Sequence, residues 1–121
     1  MNVVDASALL AFLQGEDGAD TAEQALVDGA RCSAANWSET AQKILAKGRN
    51  WTLASSLLAS YRLVVEPVIE ADAEWAARRW KRGEDLSLGD RLCLATAERL
   101  DAVVWTADSR WGTDGRIRQI R

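Results

Sequence analysis

The segment NVVDASALLAFL, residues 2–13, decides how this chain folds. Residues 2–5 read as a short buried strand and residues 7–14 as the apolar helix that follows it. Between them stands one charge, Asp5, at the strand's carboxyl end. The segment AVVWTAD, residues 102–108, repeats the design: a β-branched apolar run that ends in an acid, Asp108.

Between these two segments and beyond them the pattern alternates. Residues 20–29 read as a second helix stopped by Gly29, residues 31–35 as a weak strand, and residues 37–48 as a helix with Trp37, Ala41, Ile44 and Leu45 on one stripe. Residues 51–61 read as a further helix and LVVEP, residues 63–67, as a strand closed by the only proline. The helix over 71–83 is expected to bury Ala73, Ala76, Ala77 and Trp80. The helix over 88–100 is apolar around most of its circumference and belongs at the centre, and residues 117–120 close the chain as a strand. Strands alternating with helices across short turns predict an α/β sandwich with a mostly parallel sheet.

Composition narrows the chemistry. The 121 residues, 48% hydrophobic and 27% charged, amount to a single domain of ordinary globular character. No apolar run approaches the roughly 20 residues of a membrane helix, and Asp5 interrupts the only stretch that could imitate a secretory signal, so a cytoplasmic home is expected. Cys32 and Cys93 lack CxxC pairing and are expected as reduced, buried thiols. Histidine is absent, which removes Ser-His triads, Cys-His dyads and histidine metal sites. Carboxylates must perform any acid–base or metal work.

Four acids are placed to do so. In an open parallel sheet, ligands collect outside the carboxyl ends of the strands, where strand order reverses, and Asp5 and Asp108 both sit at such ends. Asp90 stands in LSLGDRLCL at the first turn of the central helix, and Glu39 in NWSET at the first turn of its own, facing away from the apolar stripe. Each also has a structural use: Asp5 as a helix cap, Glu39 in a capping box with Asn36, Asp90 as a first-turn acid and Asp108 as a turn residue. Such uses leave unexplained why two strand-end and two helix-start acids share one small fold without histidine. Bare carboxylates side by side repel, so either one is protonated or a cation sits between them. An oxygen-only donor set suits a hard cation, Mg²⁺ or Mn²⁺, rather than zinc.

The spaced set VVDASALL, NWSETAQKI, LSLGDRLCLATAERLDA and VVWTADSRW resembles the PIN domain, and the third segment is similar to VapC toxins of bacterial VapBC pairs. That resemblance spans nearly the whole chain. It implies a PIN-like α/β/α sandwich and a metal-dependent endoribonuclease. The family's acidic set falls on Asp5, Glu39, Asp90 and Asp108, with Asp5, Asp90 and Asp108 nearest a Mg²⁺ or Mn²⁺ ion and Ser7 and Thr106 at the hydroxyl positions. It also implies an RNA substrate, a cognate VapB-like antitoxin and a homodimer. Such an antitoxin would lay an apolar helix beside helices 37–48 and 51–61 and deliver an arginine or lysine to the carboxylates. Some members carry a further acid just after the last aspartate, where Ser109 and Arg110 stand here. That leaves the choice between one and two metals open.

Net charge is −3, from 15 bases and 18 acids. Setting aside the four candidate acids leaves 14 against 15, so charge does not oppose a nucleic-acid partner. Three basic clusters are available for phosphates: Arg78, Arg79, Lys81 and Arg82; Lys43, Lys47 and Arg49; and Arg110, Arg116, Arg118 and Arg121. Of the six tryptophans, Trp37, Trp75, Trp80 and Trp105 are expected in core or interface, and Trp111 beneath the turn after Asp108 or stacked on a base. Competing readings are weaker. A receiver domain needs a phosphorylatable aspartate after its third strand, where LVVEP offers Glu66, and a haloacid-dehalogenase-like phosphatase needs a second acid that DAS lacks. A catalytically inactive RNA- or protein-binding module of the same fold is the main alternative.

Overall fold

A computed structural model describes residues 1–121. Five short strands, β1 (Asn2–Val4), β2 (Ala30–Ser33), β3 (Val64–Glu66), β4 (Val103–Thr106) and β5 (Ile117–Gln119), form one sheet ordered β3-β2-β1-β4-β5. Every pairing is parallel. The helices are α1 (Ala6–Gln14), α2 (Ala19–Val27), α3 (Ala34–Ala46), α4 (Trp51–Ser60), α5 (Glu70–Arg79) and α6 (Leu88–Leu100), with a 3₁₀ turn at Ser109–Trp111. β1 lies beside β4 in the register Asn2↔Val103, Val3↔Val104, Val4↔Trp105. Strand order therefore reverses between β1 and β4, which puts the crevice at the ends that carry Asp5 and Asp108.

Alternation along the strands splits the core in two. Val4 joins Leu9, Leu26 and Leu58 on one face, and Val3 joins Cys93, Leu94 and Val104 on the other. Each wholly buried leucine on the first face contributes about 2 kcal/mol. The sheet thus carries helices on both sides, the expected α/β/α sandwich. The central placement of α6 is borne out, with Cys93 to Ala97 all buried. Both cysteines are free and fully buried, and burial pushes both thiols well above their ordinary range, which suits inert packing. α1 stops at Gly15, whose φ of 63° is open to glycine and lets its N–H meet the carbonyls of Ala11 and Phe12.

Two helices differ from their expected form. α3 begins three residues earlier than the apolar stripe suggests, at Ala34, because the Ser33 hydroxyl accepts from the N–H groups of Ala35 and Asn36 and caps it there. Asn36 is therefore inside the helix, no capping box joins it to Glu39, and Leu45 is exposed. α5 is turned by one residue: Asp72 and Ala76 are buried, while Ala73 and Ala77 face out. Its inward anchor is polar. The Asp72 carboxylate accepts from Arg99 Nε at 2.9 Å and Nη2 at 3.1 Å, a bidentate pair that ties α5 to α6. The helix ends at Arg79, leaving Trp80 52% exposed under the Arg82 guanidinium rather than in the core.

The other tryptophans follow expectation. Trp37 packs edge-on to Trp51, joining α3 to α4, and Trp105 donates its indole N–H to Asn2. Trp75 packs against the core beneath α6, and Trp111 is buried beneath the turn after Asp108.

Candidate active site

Asp5 is held by three donors. Oδ1 accepts from the Ala8 N–H at 2.8 Å, which caps α1, and from the Ser7 hydroxyl at 2.7 Å, while Oδ2 accepts from the Thr106 hydroxyl at 2.6 Å. Ser7 Oγ also accepts from the Ala107 N–H, and Thr106 Oγ1 from the Asp108 N–H. Ser7 and Thr106 thus bolt the end of β1 to the end of β4, and they position both strand-end acids. Burial raises the Asp5 carboxyl to about 6 despite those hydrogen bonds, and the charge of Asp90 adds to the rise.

Asp90 occupies the third position of α6. Its N–H donates to the Ser87 hydroxyl at 3.1 Å and its Oδ2 accepts from the Ser87 N–H at 2.9 Å, a reciprocal capping box. Burial raises its carboxyl, and the charges of Glu39 and Asp108 add to that. Glu39 stands in the second turn of α3. A methyl group placed on Gly89 would lie 3.4 Å from its carboxylate, an ordinary contact, so Glu39 stands directly beside the start of α6. Asn36, wholly buried, donates to the Gly89 carbonyl at 3.2 Å and ties α3 to α6 there.

Asp108 caps the 3₁₀ turn by accepting from the Arg110 N–H. The Arg110 side chain then folds back on it as a fork, Nε to Oδ1 at 3.0 Å and Nη2 to Oδ2 at 2.8 Å, and also pairs with Asp85. Hydrogen bonding by Arg110 holds the Asp108 carboxyl below its ordinary range.

All four predicted acids line one crevice of about 260 Å³, with Ser7 beside them, while Thr106 lies beneath as a buried support. The crevice also holds Asp85, Ser87, Lys43 and Arg110. Five carboxylates against two cations make it strongly acidic. Capping does not withdraw the acids from the crevice, since Asp5, Asp90 and Asp108 each cap an element while lining it. No three of the carboxylates already stand as a coordination shell; Asp108 is turned to Arg110, and Glu39 pairs with Lys43 at 3.1 Å. The donor set, carboxylate and hydroxyl oxygen without sulfur or imidazole, nonetheless fits Mg²⁺ or Mn²⁺.

Sequence reasoning passed over Asp85 and the pairing of Lys43 with Glu39. The spacing of GEDLSLGD gave a weak signal for the first, two acids five residues apart around a helix start, and the i, i+4 interval gave one for the second. Nothing in the spacing ties Arg110 to Asp85, 25 residues away.

The fold and the crevice define a class: an all-parallel α/β/α sandwich with a carboxylate-lined cleft at the strand-order reversal. Residues 3–113 match the model of the PIN domain, and the chain belongs to that family. Three solved structures are similar. One is a toxin–antitoxin complex from Klebsiella pneumoniae, 18% identical, covering 100% of this chain and 98% of that one with a TM-score of 0.77. The second is the Mycobacterium tuberculosis toxin VapC20, which cleaves the sarcin–ricin loop: 19% identity, TM-score 0.69, covering 90% and 91%. The third is FitAcB from Neisseria gonorrhoeae, at 19% identity and TM-score 0.69, covering 99% and 98%. At these identities the likeness concerns the fold. Among curated proteins, no sequence matches.

Proposed function

We propose that the chain is a Mg²⁺- or Mn²⁺-dependent endoribonuclease acting as the toxin of a toxin–antitoxin pair. One observation carries this reading: acids from four separate elements, Asp5, Glu39, Asp90 and Asp108, converge on the crevice where strand order reverses. Membership of the PIN family and the toxins among its structural relatives support it. An inactive binding module would have no use for four acids converging on one crevice, where burial raises the carboxyls of Asp5 and Asp90.

In this reading Asp5, Asp90 and Asp108 hold the ion. Bound there, it supplies positive charge against the oxygens of the reacting phosphate. The protein's own groups do the rest. Ser7 and Thr106 fix the Asp5 carboxylate by hydrogen bonds, so its orientation needs no reorganisation during the reaction. Glu39, next to the α6 start, orients the attacking water and takes its proton as the water oxygen bonds to phosphorus, while the ribose oxygen departs with the bonding electron pair and takes a proton from solvent. Arg110 lines the same crevice and holds the Asp108 carboxylate there with its fork.

Cleavage of RNA is expected with Mg²⁺ or Mn²⁺, without any need for zinc, and is expected to stop in EDTA. Gel analysis of a mixed RNA pool with each ion reads this directly, and persistent cleavage in chelator overturns the metal assignment.

Control follows from the surface beside α3 and α4. Leu13, Ile44, Leu53, Ala54 and Leu57 line an apolar hollow there, with Leu53 68% exposed. An amphipathic helix of a cognate antitoxin fits it in the helix-in-groove manner. No helix of the chain is long and apolar enough to cross a membrane, and we place its action in the cytoplasm. Expression of the chain alone is expected to arrest growth, and co-expression of its genomic neighbour to restore it. Growth-curve measurement checks both, and an arrest that the neighbour fails to relieve excludes this control.

A further inference from the structure

The crevice opens into a second groove of about 450 Å³, with which it shares Ser7, Lys43 and Asp108. Gln14 and Arg121 also line this groove. Lys47 and Arg49 stand over Gln14, donating to its Oε1 at 2.7 and 3.2 Å. Residues from α3, from the turn after it and from position 121 are thus gathered on one side of the acids. We propose that this groove is the path of the RNA phosphate backbone next to the scissile bond, with Lys47, Arg49 and Arg121 as its phosphate contacts. The proposal rests on the nuclease reading and adds the surface that holds the substrate.

Position selects this groove over the other basic clusters. Arg78, Lys81 and Arg82 are equally without ion pairs, but none of them lines the crevice or the groove that opens from it. Four other arginines are taken up in ion pairs. Arg79 is paired with Glu84, Arg99 with Asp72 and Glu66, Arg110 with Asp108 and Asp85, and Arg116 with Glu98 and Asp101. By contrast, Lys47 and Arg49 bond only the Gln14 amide oxygen, and the Arg121 guanidinium only the Asp17 carbonyl. Their charge is left whole and exposed. Besides Asp108, already held by Arg110, Glu16 is the one acid along the groove. Its lining contains no aromatic ring, so nothing there stacks on a base. Recognition on this side therefore goes through phosphate and is tolerant of sequence. A single strand suits it, because unpaired RNA can bend from the groove into a crevice of about 260 Å³.

The test measures binding of a fluorescent single-stranded RNA of mixed sequence to the full chain carrying Asp90→Asn, which leaves the strand intact, over a range of salt concentrations. Adding Lys47→Ala, Arg49→Ala and Arg121→Ala together is expected to lower affinity at least about tenfold at 0.1 M salt. The slope of log affinity against log salt should shrink by about 2, from about 0.7 per lost single-strand phosphate contact. A control triple, Arg78→Ala, Lys81→Ala and Arg82→Ala, should leave the slope unchanged. All six side chains are exposed, and unchanged circular dichroism confirms that the fold is kept. An unaltered slope in the first triple, or a loss confined to the control triple, overturns the groove assignment. Failure of the Asp90→Asn protein itself to bind RNA overturns the nuclease reading instead.

Discussion

Asp90→Asn lowers RNA cleavage by at least about 10³-fold, the consequence expected of removing one carboxylate from a divalent-ion site whose charge contributes several kcal/mol to the transition state. The fold should tolerate the change. The asparagine oxygen can still accept from the Ser87 N–H, and its own N–H still reaches the Ser87 hydroxyl, so the capping box of α6 survives. Neutralising residue 90 also removes a charge that burial and the neighbouring Glu39 and Asp108 already disfavour. Stability should therefore change by less than about 1 kcal/mol while activity disappears. Single-turnover cleavage and thermal unfolding measured on the same sample separate the two, and an Asp90→Asn protein as active as the parent would remove residue 90 from the site.

The second large effect is on stability. Asp5 is buried, and its carboxyl titrates at about 6 in the folded chain against an ordinary value of 3.8. Folding thus favours the protonated form. The stability linked to this group is complete below about pH 4 and is lost as pH rises through about 6, to a total of about 3 kcal/mol. Asp5→Asn removes the titration and keeps a neutral side chain among Ala8, Ser7 and Thr106, with the Thr106 hydroxyl free to accept rather than donate. In chelator the variant should match the parent near pH 4 and exceed it near pH 7 by roughly 10 °C in Tm. Added Mg²⁺ should narrow the gap, because only the parent has an ionised carboxylate for it to stabilise. A Tm difference independent of pH would show that Asp5 does not carry the buried charge. Cleavage by the Asp5→Asn protein should be lost along with that charge.

The two experiments bear on opposite sides of one arrangement. A crevice of five carboxylates is costly to fold without a cation, and the chain meets part of that cost with its own Arg110 and Lys43. In the proposed reaction the same convergence serves a divalent ion and a phosphate. Asp5 and Asp90, whose charged forms burial disfavours, are therefore among the residues assigned to the reaction.

Much of this was legible in the sequence. A β-branched run ending in an acid, met twice, located Asp5 and Asp108 at strand ends, because a strand's direction and the helix that follows it are local properties. The parallel sheet followed from alternation, and the absence of histidine confined the chemistry to oxygen donors. The solid circumference of the 88–100 helix gave its central place. What failed was hydrophobic phase where polar groups set it. α5 turns inward on Asp72 because Arg99, 27 residues on, meets it there, and α3 starts early because Ser33 caps it. Apolar periodicity has no term for either.

The set of elements, their order and the acids at their ends are local properties of the chain, since these depend on residues within one turn of each other. Which side chains meet is a matter of the folded chain: Ser7 with Thr106 across 99 residues, Arg110 with Asp85, and Arg121 with the hollow that Lys43 borders. Spacing along a chain constrains neighbours on one helix or strand. Contacts between elements arise only when the sheet brings distant segments side by side, and the charge of the crevice and of the groove beside it is a property of that assembly.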